Sequence, residues 1–389
     1  MTIDTSRLKA IAAELTLTRH QLHQHPEISF ALHKTSARVS QFLQELGLEV
    51  HQGLAQTGLV AILKGSRGEG PNIALRADMD ALNIEESAEH SVRSQIPGAS
   101  HACGHDGHTA ILLATARYLS EHNDFAGTVY FLFQPAEEGE AGARVMIEEG
   151  LFERFPIQAI YGLHNLPGMV VGKIATRSGA VTAAGDTWQV EFLGSGGHGA
   201  MPHKVTDPSL ATAHFITMLH TITSRNVPAS EAAVVSVGHI HGGDMNAPNV
   251  IPSQVSLCGT ARSFTPKTRD ILEQRIIELA NTSAQAFHCK AQASYTRRYP
   301  PTVNHRQNAQ TALAAARRAV GEDKVIELSE PFNFSEDFSF YLEKIPGCFA
   351  FIGNGENCAG LHTPDYQFDD SAIETGMRFF IELIHGECQ

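Results

Sequence analysis

The chain lacks any run approaching the roughly 18 apolar residues that a membrane-spanning helix requires. Its first stretch, MTIDTSRLKAIAAELTLTRHQLHQH, has no apolar core of signal-peptide type and reads as an amphipathic helix. Basic residues are few: 29 Lys and Arg face 42 Asp and Glu, a formal net charge of −13. Nucleic-acid binders normally carry a basic patch or stripe, so that class is set aside. An anionic small molecule, held by a few local arginines, is not excluded. No CxxC pair occurs among Cys103, Cys258, Cys289, Cys348, Cys358 and Cys388. Thiols scattered in a chain of this size point to reduced cysteines in a cytoplasm rather than to a disulfide framework. There is no internal repeat and no low-complexity segment. The glycines Gly194, Gly196, Gly197 and Gly199 lack the lysine pattern of a phosphate-binding loop.

What is present is an ordinary globular composition, 42% hydrophobic and 18% charged, over 389 residues. Single cores stop growing below that length, so two domains are expected. In the first half helical and strand patterns alternate. SARVSQFLQELGLEV has a helical period that stops at Gly47, and GLVAILKG, NIALRADMD and GTVYFLFQ are β-rich runs. Such alternation predicts an α/β domain with a mixed, mostly parallel sheet between helices. Ligands of such sheets gather at the carboxyl ends of strands, and here polar clusters follow the strands: Asp78 and Asp80, then Glu137 and Glu138, then His164. From residue 185 to 298 the order becomes β-α-β-β-α-β, an inserted α+β ferredoxin-like unit. The catalytic domain is then discontinuous, 1–184 and 299–389.

Histidine is abundant, 21 residues, and three groups concentrate chemistry: HACGHDGH, QPAEEGE and GLHTPDYQF, with YGLHNLPG between the last two. Together they supply Cys103, His105, Glu138, His164 and His362. Thiolate, imidazole and carboxylate suit zinc and related transition metals far better than calcium or magnesium. Five ligands exceed the need of one tetrahedral ion, whereas two ions about 3.5–4 Å apart would use them all. Of two adjacent carboxylates, one can hold metal while its neighbour takes a proton from water. Asp106 suits a helix N-cap.

These motifs resemble the co-catalytic metallohydrolases that include aminoacylases, hippurate hydrolase and the plant indole-acetyl-amino-acid hydrolases. The resemblance covers almost the whole chain, through RHQLHQHPEISF, ALRADMDAL, HACGHDGHTA, FQPAEEGEAGA, GLHNLPG, GSGGHGAMPH, NVIP, SEDFSFY and LHTPDYQF, in order. It implies a zinc-peptidase-like catalytic domain with an inserted lid and dimerisation domain. By this resemblance Cys103, His105, Glu138, His164 and His362 hold two divalent metal ions per subunit, zinc first, with manganese, nickel and cobalt compatible. Glu137 becomes general base and acid, and His198 polarises the scissile carbonyl in the other subunit's site. Asn249 and Arg262 hold the substrate carboxylate, and Asp78 and Asp80 orient the site. The implied substrate is an N-acyl amino acid, and the assembly a homodimer or dimer-based tetramer through 185–298. A dipeptidase or aminopeptidase on the same scaffold is the competing enzymatic reading, and a metal-bearing binding protein without catalysis the competing non-enzymatic one. His101 and His108 are read as supporting neighbours, and His203 as a polar loop side chain. Glu336 and Asp337 either border the pocket or start a helix. His20, His23 and His25 are read as surface or structural.

Overall fold

The computed structural model describes residues 3–389 and divides the chain into two compact units. Among the described residues, the first comprises 3–181, 303–330 and 337–389; the second, 182–302 and 331–336.

In the first unit, eight strands form one sheet in the order Glu49–Leu54, Gly58–Lys64, Thr128–Gln134, Asn72–Asp78, Ala159–Leu166, Gly347–Gly353, Ile174–Thr176, Val325–Glu327. The four strands from Thr128–Gln134 to Gly347–Gly353 are mutually parallel, and antiparallel pairs flank them. TVYFLFQ and GCFAFIG are continuous apolar runs because both faces of these central strands are covered. Helices Thr5–Gln24, His105–Glu121 and Ala372–Glu387 pack on one another. Ile111, Phe131, Phe380 and Ile384 lie within their common core with the sheet, all buried.

One junction in this unit is ionic. His23, near the end of the first helix, meets Asp106 Oδ2 through Nδ1 at 2.9 Å and Glu86 Oε1 through Nε2 at 2.8 Å. Arg19 Nη1 reaches the same Asp106 oxygen at 3.2 Å. The helix beginning at His105 is therefore capped by Gly104, in the left-handed region at φ 86°, and not by Asp106. The carboxylate expected to cap is drawn instead to the buried cations of the first helix. Burial alone would lower the His23 pKa, but Asp106 and then Glu86 raise it to about 9. Its folded pKa thus lies above the ordinary value of 6.5. The stability it contributes is complete below that value and is lost as pH rises through 9. We expect wild-type protein to lose on the order of 3 kcal/mol more than His23→Gln between pH 6.5 and 10. Parallel denaturant midpoints for the two proteins would refute this.

In the second unit, four antiparallel strands lie in the order Ala233–Gly242, Gln254–Ser263, Ala184–Leu193, Lys290–Tyr299. The chain enters them as second, third, first and fourth, the ferredoxin-like arrangement. Alternate residues Trp188, Val190 and Phe192 turn inward against Phe215, Leu272 and Ile276 of helices Pro208–Leu219 and Pro266–Ala286. Asp207 and Thr265 cap those helices, each just before a proline at the first helical position. Among the described residues no helix is long and apolar enough to cross a membrane.

Candidate metal centre

The centre forms in the first unit where parallel strands end. Strand Asn72–Asp78 delivers Asp78 at its last residue, and Asp80 follows two residues later. Strand Thr128–Gln134 runs into the turn that carries Glu137 and Glu138. This turn is irregular, with Ala136 at φ 57° and Ala141 at φ 60°. Both oxygens of Asp80 brace it, accepting from the backbone N–H groups of Glu137 and Glu138 at 3.0 Å each. His164 lies near the end of strand Ala159–Leu166, and His105 opens the helix that Gly104 caps.

The five residues expected to hold metal come together. Ligand atoms of Cys103, His105 and His164 lie within 4.8 Å of one another, and the same is true of Cys103, Glu138 and His362. Cys103 Sγ is 3.4 Å from His164 Nε2, and His362 Nε2 is 3.1 Å from Glu138 Oε1. The ring of His164 donates from Nδ1 to the carbonyl of Asn165 at 2.7 Å, which leaves Nε2 with its lone pair toward Cys103. His362 has φ 60°, and its N–H donates to Ala102 O at 2.8 Å, tying the two ligand loops together.

The charges show what the cluster accepts. His105 Nε2 and Glu138 Oε1 are buried and make no hydrogen bond. Burial opposes a charge on His105, yet Asp78, then Asp80 and Glu138, raise its pKa to about 10. Burial, reinforced by Glu138, Glu137 and Asp78, pushes the Cys103 thiol well above its usual range. Burial, helped by His108 and His105, keeps His164 well below its usual value and therefore neutral. Divalent cations on these donors would displace the protons of the Cys103 thiol and of His105. The donor set and its orphaned buried atoms therefore fit metal.

His108 is not part of that set. Its Nδ1–H donates to Asp78 Oδ1 at 2.6 Å, and its Nε2 accepts from the Asn165 N–H at 3.0 Å. With both nitrogens engaged, its role is to hold Asp78 and Asn165. His101 is buried, and burial lowers its pKa to about 4.

Three supporting residues were missed in the sequence. Asn165 donates from Nδ2 to Cys103 O at 2.7 Å, and Tyr366 Oη donates to Asn165 Oδ1 at 2.8 Å. Together they cradle Gly104 so closely that an added Cβ would meet each at 2.4 Å. Only glycine fits there, between the expected ligands Cys103 and His105. The third is Arg76, fully buried between Asp78 and Asp337. An arginine inside the apolar run NIALRADMD was the one visible signal.

The remaining expected residues lie in the second unit. His198 is exposed on a two-residue strand paired with Val250, and Gly199 N donates to Asn249 O at 2.7 Å. His198 Nδ1 accepts from the Ala200 N–H at 3.2 Å, so Nε2 carries the proton and can donate. Arg262 is half-buried in strand Gln254–Ser263 and donates to Ala261 O at 3.0 Å. Asp186, the nearby carboxylate, is bound by Arg269 at 2.6 and 2.8 Å. His203 is exposed, but it sits in a single 3-10 turn, Pro202–Lys204, and not in an open loop.

The model of peptidase family M20/M25/M40 matches residues 74–386. The chain is 39% identical to the N-acetyl-L-cysteine deacetylase of Bacillus subtilis, over 96% of this chain and 88% of that one. It is 36% identical to the hippurate hydrolase of Campylobacter jejuni, over 96% of both. The crystal structure of the Bacillus subtilis YXEP protein, a dinuclear metal-binding peptidase of the M20 family, superposes with TM-score 0.85 at 33% identity, covering 97% of this chain and 98% of that one.

Proposed function

The chain belongs to peptidase family M20/M25/M40, and from that premise we propose that it is a metal-dependent amidohydrolase that cleaves N-acyl amino acids. The observation that carries this reading is the convergence of buried Cys103, His105 and His164 with half-buried Glu138 and exposed His362, beside a second, buried carboxylate, Glu137. Support for the substrate class comes from relatives named hippurate hydrolase and N-acetyl-L-cysteine deacetylase. Support for a pair of ions comes from the dinuclear metal-binding structural neighbour. We assign zinc first; manganese, nickel and cobalt suit the same donors.

When bound, two divalent ions supply an acidified water and an electrophile for the amide carbonyl. Glu137 takes the proton of the attacking water and returns it to the departing amine nitrogen. Asp80 accepts from its backbone N–H, which fixes the turn that carries it. The N–H on His198 Nε2 is assigned to the carbonyl oxygen, where negative charge develops. Asn249 and Arg262 are assigned to the substrate carboxylate. We assign His198 to substrate in the other subunit's site, which makes a homodimer or dimer-based tetramer through 185–298 the working assembly. All six cysteines are free, in keeping with a cytoplasmic enzyme.

The test is a panel of N-acyl amino acids varied on both sides of the amide, presented to metal-reconstituted protein. Release of free amino acid from at least one acetyl, benzoyl or indole-acetyl member is expected. Full metal loading with no hydrolysis across the panel would favour a binding protein.

A further inference from the structure

Beside the ligands lies an ionic network that the reaction does not use directly. Arg76 donates from Nη1 to Asp78 Oδ2 at 2.7 Å, from Nη2 to Asp337 Oδ1 at 2.8 Å and from Nε to Gln134 Oε1 at 2.8 Å. Its guanidinium lies 5.9 Å from the Phe338 ring centroid. Arg76, Asp78, Gln134 and Asp337 are each no more than 1% exposed. Replacing a buried ion pair by apolar side chains of similar volume is often neutral or stabilising. Stability alone is therefore a poor reason for this arrangement, and its geometry suggests another.

Asp337 grips the turn that carries Glu137 and Glu138 at both ends. Its carboxylate accepts from Gln134 Nε2, at the end of the incoming strand, at 2.8 and 2.9 Å. It also accepts from the Ala143 N–H, where the outgoing helix has just begun, at 2.9 Å. Its own N–H donates to Glu137 Oε1 at 3.3 Å. One residue thus anchors the strand before the turn, the helix after it and the carboxylate at its centre.

We propose that Asp337, charged against Arg76, is a positioning residue that aims the carboxylate of Glu137. The inference rests on the reading of Glu137 as general base. Arg76 extends the same support to the opposite side, since Asp78 holds His108, which holds Asn165, which holds the Cys103 carbonyl. Base and ligand loop are thereby referred to one guanidinium. A displacement of about 1 Å at a reacting group can cost 10²-fold in rate, so this rigidity has a kinetic consequence.

The test is a double-mutant cycle on the metal-loaded enzyme. Asp337→Asn should lower kcat about 10–100-fold with KM within about threefold and with metal stoichiometry unchanged. In a Glu137→Gln background the same change should have almost no further effect on residual activity, because the group it aims is gone. Gln134→Met, which alters no charge, should give the same signature at smaller size if Asp337→Asn fails to fold. Full multiplicativity of the two losses, or a loss of metal that accounts for the fall, would overturn the proposal. Near wild-type activity in Glu137→Gln alone would overturn the parent reading instead, so the two failures are distinguishable.

Discussion

Glu137→Gln is expected to retain its metal and to lose turnover by about 10²–10⁴-fold, the range that a positioned general acid–base supplies. Glutamine preserves the shape of the side chain and can still accept the Asp337 N–H at the oxygen that now sits 3.3 Å away. It cannot take a proton from water at neutral pH. Because Glu138, not its neighbour, lies against Cys103 and His362, metal content should be near normal. The combination of intact metal with lost turnover is the diagnostic outcome, read by metal analysis alongside hydrolysis of an acyl amino acid. An active Glu137→Gln enzyme would remove Glu137 as the base from the mechanism.

Cys103→Ala should lose both metal and activity. The thiol stands at the junction of the two ligand groups, within reach of His105 and His164 on one side and of Glu138 and His362 on the other. Its loss should exceed the roughly 10–100-fold penalty of removing an outer-shell partner. Alanine is smaller than cysteine, so the change introduces no clash with Gly104 or Asn165. Chelation of wild-type enzyme should abolish hydrolysis, and readdition of a divalent ion should restore it, whereas Cys103→Ala should not recover fully. Unchanged metal stoichiometry in Cys103→Ala would rule the thiol out as a ligand.

Much of the molecule was legible in the chain. The apolar runs TVYFLFQ and GCFAFIG announce strands covered on both faces, because only such strands dispense with alternation. The β-α-β-β-α-β series, with caps that each stand just before a proline, gives the second unit, because capping and periodicity are local properties. Cys103, His105, Glu138, His164 and His362 stand out because thiol, imidazole and carboxylate are concentrated in a few short motifs.

The supporting residues were not legible, and the reason is physical. Asp106 has the composition of a cap, and only the tertiary fold brings Arg19 and His23 against it and makes it a buried counter-ion. His108 matches His105 in type and differs only in having both nitrogens engaged by Asp78 and Asn165. Arg76 and Asp337 are 261 positions apart, yet their pairing holds the turn on which Glu137 sits. Local pattern therefore marked the candidate metal donors and the segments that become helix or strand. Which carboxylates face the candidate ligands and which are spent on structure was decided by long-range hydrogen bonds, and those exist only once the sheet has brought distant strand ends together.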